Sequence, residues 1–261
     1  MHKVVLPNGL EIAELNAHET KFLYDEIFVQ EVYTRYGLMV PPGATVLDIG
    51  ANIGMFSLYA ALKYEAVNLL CFEPAPHCVE LLRFNIARLG ASARVFATAL
   101  GAEIGEVDLS YYPHYSILSG IFADERQDLE VLRAGARTQY ESKYHHPPSE
   151  RELELLVGSR LQDRQTVRCP MTTLSRVLAD EAVDDVALAK IDVERAEHAI
   201  LAGISEAHWP KIAQFVIEVH DQGEREHELM ATMLERRGYR TRIFAEPALR
   251  NSGIYVVVAR R

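Results

Sequence analysis

Acidic residues close several apolar runs along this chain, and their positions are the first sign of chemistry. Asp48 interrupts Val46-Leu47-Asp48-Ile49-Gly50-Ala51-Asn52-Ile53-Gly54, and Glu73-Pro74 ends the run Val67 to Phe72. Asp192-Val193-Glu194 follows Ala189-Lys190-Ile191, and Glu218-Val219-His220-Asp221 follows Phe215-Val216-Ile217. In a parallel sheet, ligands sit outside the carboxyl ends of the strands, so acids at those ends face a ligand rather than the core. Gly50 permits the tight turn, and Gly54 permits close approach of the next helix or of a ligand. A dinucleotide fingerprint reads G-x-G-x-x-G, and here Asp48 takes the place of the first glycine. An acid pointing into the turn suits a cation better than a pyrophosphate. That favours S-adenosyl-L-methionine, with its ammonium and sulfonium charges, over a nicotinamide dinucleotide. Glu73 follows Asp48 by about 25 residues, close to the spacing at which an acid on the second strand accepts from both hydroxyls of a ribose.

Methyl transfer from a sulfonium is an in-line displacement, which requires donor and acceptor to be held within a few ångström. An oxygen acceptor must also lose a proton, and a base on the same rim serves that step. His220, whose ordinary pKa lies near neutrality, is the first candidate. Glu194 is the second and Glu218 a further competitor, while Asp192 would orient donor or acceptor. Asp192 with Glu218 or Asp221 also offers hard oxygen ligands to a divalent cation. Several acids on one rim are ordinary in such a sheet without metal, and no metal is expected. His145 and His146 lack a partner at metal-ligand spacing and read as surface residues; so does His114, although it could face an acceptor from the base of an insertion.

Positioning these groups requires an alternating framework, and the pattern supplies one. Residues 3 to 15 read as a hairpin around Pro7-Asn8-Gly9. Glu19 to Tyr36 reads as a helix on the spacing of Phe22, Leu23, Ile27, Phe28, Val32 and Tyr33. After the break at Pro41-Pro42-Gly43, strand Thr45 to Ile49 leads into helix Ile53 to Lys63. Strand Val67 to Phe72 leads into helix Pro76 to Leu89, with proline in the first turn. Strands Ala93 to Ala99 and Glu106 to Tyr112 follow, and Ala99-Leu100 would line an adenine. The rhythm breaks at about residues 113–162, a polar stretch with helical pieces at Leu129 to Arg133 and Glu150 to Leu161. A long insertion of this kind is either functional or disordered, here a lid over the site or a loose excursion. Alternation resumes with strand Thr166 to Met171, helix Thr172 to Ala179, strand Val186 to Ile191, helix Ala196 to Ala202, strand Ile212 to Val219 and helix Glu224 to Arg237. Arg240 to Phe244 and Ile254 to Ala259 close the chain as an antiparallel pair. The expectation is an α/β fold: a Rossmann-like, doubly wound, mostly parallel seven-stranded sheet with an antiparallel last strand. Residues 1–44 form an extension packing on a core of residues 45–261.

Composition narrows the function classes. A net charge of −10 disfavours nucleic acid, whose binding needs many cationic phosphate contacts. No apolar stretch approaches the ~20 residues needed to cross a bilayer, and Met1 to Gly9 lacks the apolar run of a signal peptide. Cys71, Cys78 and Cys169 show no C-x-x-C spacing, which suits reduced, buried thiols in a cytoplasmic protein.

Taken together, these stretches resemble the FkbM family of class I S-adenosylmethionine-dependent methyltransferases. The resemblance rests on Val46 to Gly54, on Phe72-Glu73-Pro74, on Lys190-Ile191-Asp192-Val193-Glu194-Arg195-Ala196-Glu197, and on Phe215 to His220. The third stretch is the most specific to the family. Leu6-Pro7-Asn8-Gly9-Leu10, His18-Glu19-Thr20 and Ile27-Phe28 resemble members associated with polyketide and nonribosomal peptide assembly lines. The resemblance implies O-methylation of a hydroxyl on a natural product, a sugar or a carrier-bound intermediate, so the partner is a small-molecule or carrier-protein-bound acceptor. It implies donor contacts at Asp48, Gly50, Asn52, Gly54, Glu73 and Pro74, and places Asp192 and Glu194 near the methyl group. Arg195 stands where the family usually has glycine, so its side chain either points to solvent or alters the mouth of the acceptor pocket. Two other readings stand beside this one: a nicotinamide-dependent oxidoreductase, and a non-catalytic protein that retains the donor fold.

Overall fold

The computed structural model describes residues 1–261 apart from 89, 91, 222 and 246–252. Short β-branched and leucine-rich runs become strands, and the four central ones are buried on both sides, as parallel sheets covered by helices require. The main sheet contains Thr45–Ile49 (β3), Asn68–Phe72 (β4), Ser92–Phe96 (β5), Leu188–Ile191 (β9), Gln214–His220 (β10), Arg240–Ala245 (β11) and Ile254–Arg260 (β12). Its order is β11-β12-β10-β9-β3-β4-β5, and β12 runs antiparallel to both of its neighbours. The order reverses at β3, where β9 flanks one side and β4 the other. A crevice opens at that point on the carboxyl edge, which is where doubly wound sheets bind ligands.

Alternate residues of one strand serve two cores. Val46 packs with Leu58, Leu82 and the amino-terminal residues Leu6, Ile12 and Val32, whereas Leu47 and Ile49 pack with Trp209, Ile217 and Met230. The first core thus includes His2–Val5 (β1) and Glu11–Glu14 (β2), a hairpin closed by the Leu6 and Leu10 backbones.

The elements depart from the sequence pattern in two places, the amino-terminal helix and the strand after the insertion. Ala17–Tyr24 (α1), capped by the Asn16 side chain on the Glu19 N–H at 2.9 Å, runs into a π-helical turn at Asp25–Val29 and stops, with Glu31 in the left-handed region at φ 52°. The apolar spacing that suggested a helix to Tyr36 instead serves irregular chain that packs Val32 and Tyr33 inward. Pro76–Ala87 (α3) covers most of the expected helix, whose end at Leu89 lies outside the described residues. Gln165–Thr172 (β8) does not join the main sheet; it pairs antiparallel with Gly105–Tyr111 (β7) and parallel with Ala99–Leu100 (β6).

This small sheet carries the insertion. Glu125–Tyr144 (α4) is far longer than the short helix read from the sequence, and Glu150–Val157 (α5) begins with a reciprocal capping box between Ser149 and Glu152. Tyr112, Leu118, Leu132, Leu153 and Val157 give the insertion a core of its own. Met55–Lys63 (α2), Leu174–Asp180 (α6), Glu197–Ala202 (α7) and Glu226–Arg236 (α8) complete the helices used below. Among the described residues, no helix is long and apolar enough to cross a membrane.

Candidate active site

A cavity of about 1010 Å³ occupies the carboxyl edge of β3, β4, β9 and β10. The structure brings to its wall Gly50, Asn52, Glu73, Pro74, Ala99, Leu100, Asp192, Glu194, Glu218 and His220. Asp48 and Gly54 are not among its lining residues.

Asp48 lies beneath the turn, fully buried. It accepts from Ser57 Oγ at 2.5 Å, and its Oδ1 is 3.3 Å from Lys190 Nζ. The cation it meets is therefore Lys190 and not a ligand in the cavity, which corrects the reading of an acid pointing into the turn. Lys190 in turn donates to Gly50 O at 2.8 Å and lies 3.3 Å from Asp192 Oδ2. Burial works against its charge, but Asp192 and Asp48 outweigh burial and hold the ammonium well above its ordinary range. A lysine inside a buried strand was the available signal for this role, since such a charge has to be paired.

The glycines of the turn act by close approach. A Cβ on Gly50, at φ 77°, would sit 1.8 Å from Asp192 O, so only glycine lets the β3 turn pass under the β9 loop. A Cβ on Gly54, at φ 91°, would sit 2.7 Å from Leu82 Cδ1, so this glycine serves the packing of α2 on α3. Asn52, at φ 49°, bridges outward: its Nδ2 donates to Ser116 Oγ at 2.8 Å, and Ser116 donates to the buried Glu19 at 2.7 Å.

Glu73 is clamped at the cavity edge. Its Oε2 accepts the Asn52 N–H and its Oε1 the Ala75 N–H, both at 2.8 Å. Burial pushes its carboxyl up to about 7, against the pull of those two N–H groups. Each oxygen keeps a second lone pair, which is what a diol needs from a carboxylate.

The same cavity also meets a buried acid–histidine cluster. His220 Nδ1 is 2.7 Å from Glu197 Oε1, and Nε2 is 3.4 Å from Glu194 Oε2 and 3.7 Å from Glu218 Oε1. Burial lowers the imidazole's proton affinity, but Glu194, Glu197 and Glu218 reverse this and raise it well above the ordinary value. Burial likewise pushes Glu194 up to about 7, with His220 and Arg195 opposing. Glu218 is raised well above its ordinary range, by burial first and then by Asp192 and Glu26. Tyr33 donates from its hydroxyl to Asp192 at 2.9 Å and reaches Glu218 at 3.3 Å.

Several of these residues were given no role in the site by the sequence pattern. Tyr33, Glu19 and Ser116 come from the amino-terminal segment and the insertion, and only the fold brings them to the strand ends. Asp221 turns away, accepting from Gly223 N at 2.8 Å and pairing with His227. His114 faces Asp163 at 3.0 Å on the surface, and His145 and His146 are exposed at the end of α4. Among the described residues, no group of three or more His, Cys, Asp or Glu is arranged to hold a metal ion. Arg195 neither points to solvent nor lines the cavity: its guanidinium is 2.6 Å from the buried Asp128 of α4.

A family model described as the methyltransferase FkbM domain matches residues 48–241. Over 98% of its length the chain is 35% identical to "31-O-demethyl-FK506 methyltransferase FkbM" of Streptomyces tacrolimicus, covering 95% of that protein. It is also 35% identical to part of "AMB antimetabolite synthetase AmbE" of Pseudomonas aeruginosa, over 97% of this chain and 12% of that one. "Methyltransferase sdnD" of Sordaria araneosa is 31% identical over 85% of this chain and 82% of its own.

Proposed function

The chain belongs to the FkbM methyltransferase family, and from that premise we propose that it transfers a methyl group from S-adenosylmethionine to a hydroxyl of a natural product, a sugar or a carrier-bound intermediate. The observation that carries this reading is one cavity whose wall combines Gly50, Asn52 and Glu73 with Glu194, Glu218 and His220. The family implies S-adenosylmethionine as donor. The chemistry of the donor side suits it: Glu73 has acceptor capacity left for a diol. When bound, S-adenosylmethionine supplies an electrophilic methyl group.

Glu73 would hold the ribose, with Pro74 beside it and Ala99 and Leu100 against the base. The Gly50–Asn52 turn would shape the methionine end, and Asp192 would orient it. Asp48 and Gly54 would act from beneath, by fixing Lys190 and seating α2. Glu194 is the better base. Its carboxyl is poised near neutral pH, where general-base catalysis is most efficient, whereas at His220 burial is outweighed by Glu194, Glu197 and Glu218, which raise its proton affinity well above the ordinary value and favour the imidazolium. His220 would steady the ionised Glu194.

An oxygen acceptor explains why a base is needed at all, and the relative named as a 31-O-demethyl-FK506 methyltransferase supports that choice. Phe22, Leu23, Ile27, Ile117 and Leu132 give the remaining wall an apolar character suited to a small organic or carrier-bound acceptor. The net charge of −10 supports neither nucleic acid nor an anionic membrane as partner, and three buried free cysteines suit a reducing cytoplasm. The nicotinamide alternative gives way to the family match.

The test is incubation with methyl-labelled donor and a panel of hydroxylated acceptors, free and thioester-bound, read by mass spectrometry. Label on an acceptor oxygen is expected. Donor binding without transfer to any acceptor would favour the non-catalytic alternative, and label on nitrogen or carbon would overturn the O-methyl assignment.

A further inference from the structure

Arg195 directly follows Glu194 and holds φ 64°, a left-handed conformation that favours glycine. Its side chain nevertheless crosses to the insertion and is only 7% exposed there. Nη2 donates to Asp128 Oδ1 at 2.6 Å, and Nη1 donates to the Phe122 carbonyl at 3.3 Å. Asp128 is fully buried, and its other oxygen accepts from the Tyr112 hydroxyl at 2.8 Å. Tyr112 follows β7 at the root of the insertion, and Asp128 lies in the first turn of α4. One guanidinium thus joins the loop carrying Glu194 to the start and to the first helix of the lid.

Between those attachments the lid backbone lies against Glu194. Ser110 and Gly120 exchange both backbone hydrogen bonds, at 3.0 and 3.1 Å. A Cβ on Gly120 would come within 2.6 Å of Glu194 Cβ and 3.0 Å of Glu194 O. Ile117, Leu118 and Ser119 line the cavity beside this contact. The wall over Glu194 is therefore set by where the lid is tied.

We propose that Arg195 is a positioning residue for acceptor binding: through Asp128 and Phe122 it fixes the 116–121 wall against Glu194 and so sets the space beside the base. A buried carboxylate that loses its cationic partner is strongly disfavoured, so the first turn of α4 would leave its seat if the guanidinium were removed. The part of the inference that concerns acceptor space rests on the methyl-transfer reading; the tie itself does not.

Arg195→Gly is the informative variant, because glycine suits this backbone and the fold keeps its turn. Hydrogen exchange is expected to speed up by at least about ten-fold across 112–128, the loss of a charged hydrogen bond being worth that much, with β3, β4 and β10 unchanged. Arg195→Lys should restore part of the protection, since it keeps the charge without the fork. With an acceptor found by the labelled-donor screen, KM for that acceptor should rise about ten-fold on the same grounds, while kcat falls less and affinity for S-adenosylhomocysteine holds. Unchanged exchange across 112–128 overturns the tie. Faster exchange with unaltered acceptor KM overturns the positioning role. If the screen finds no acceptor, the methyl-transfer reading fails, and the tie is judged by exchange alone, sustained if Arg195→Lys restores protection and rejected if it does not.

Discussion

Glu197 and His220 form a buried pair, Oε1 to Nδ1 at 2.7 Å, between the first residue of α7 and the last of β10. Glu197 does not line the cavity; it reaches the site through the imidazole and through its charge on Glu194. Burial disfavours the imidazolium, and Glu194, Glu197 and Glu218 together overcome that and raise its pKa. A group bound more tightly to its proton in the folded state stabilises fully below its unfolded pKa of about 6.5, and that contribution is lost as pH rises through the folded value. Glu197→Gln removes one of the three charges, so the folded value falls. Urea unfolding at about pH 6 and pH 9 should therefore show a smaller loss of stability in the variant than in the parent chain. An equal loss in both would exclude Glu197 as the imidazolium's partner.

Tyr33 reaches the site from the amino-terminal segment and gives one hydroxyl to two carboxylates, Asp192 and Glu218. Tyr33→Phe keeps the ring against Phe56 and removes only the donor. Hydrogen bonds to charged groups contribute about 1.5–3 kcal/mol, so denaturant unfolding should show a loss in that range. A loss below about 0.5 kcal/mol would overturn the phenol as a stabilising donor to these acids.

The strand ends were legible in the sequence because a short apolar run closed by an acid is the pattern of a buried strand that emerges at a polar rim. The order of alternating strands and helices, the turn at Gly50 and the convergence of Glu73, Asp192, Glu194 and Glu218 follow from it. Side-chain direction was not legible. Asp48 and Gly50 lie two residues apart, a spacing that puts both on one face of a strand; but β3 ends at Ile49, so Asp48 stays in the sheet against Ser57 and Lys190, while Gly50, at φ 77°, turns the chain along the cavity wall. Residues from distant segments were also hidden: Tyr33 read as one apolar position of a helix, and Arg195 as a departure whose partner, Asp128, lay in a polar stretch without periodicity. Strand Gln165–Thr172 looked like its parallel neighbours because its pattern does not encode which sheet receives it.

Glu73 gives the donor site its pH dependence. Burial raises its carboxyl to about 7, and only the ionised form accepts from both ribose hydroxyls. Affinity for S-adenosylhomocysteine should therefore tighten about ten-fold from pH 6 to pH 8 and level off above, each pH unit below the pKa reducing the ionised fraction about ten-fold. Glu73→Ala should weaken binding by about 10- to 100-fold, the loss of a buried charged hydrogen-bond acceptor, and should flatten the pH dependence. Calorimetry measures both. Unchanged affinity in the variant would remove the ribose assignment.

Glu194 and His220 leave opposite signatures in the pH dependence of turnover. With Glu194 as base, the acid limb of the kcat profile tracks its carboxyl, which burial places at about 7 and which His220 and Arg195 pull downwards. Glu194→Gln should lower kcat by about 10²- to 10⁴-fold, the usual contribution of a positioned base, and should abolish that limb while donor affinity holds. His220→Ala should also lower kcat with little change in donor affinity, but by removing the positive charge 3.4 Å from Glu194 it should move the limb to higher pH. The pair titrates as a unit, so the direction of movement is the diagnostic quantity rather than either midpoint. If Glu194→Gln keeps the limb and His220→Ala abolishes it, the imidazole is the base and the carboxylate its support.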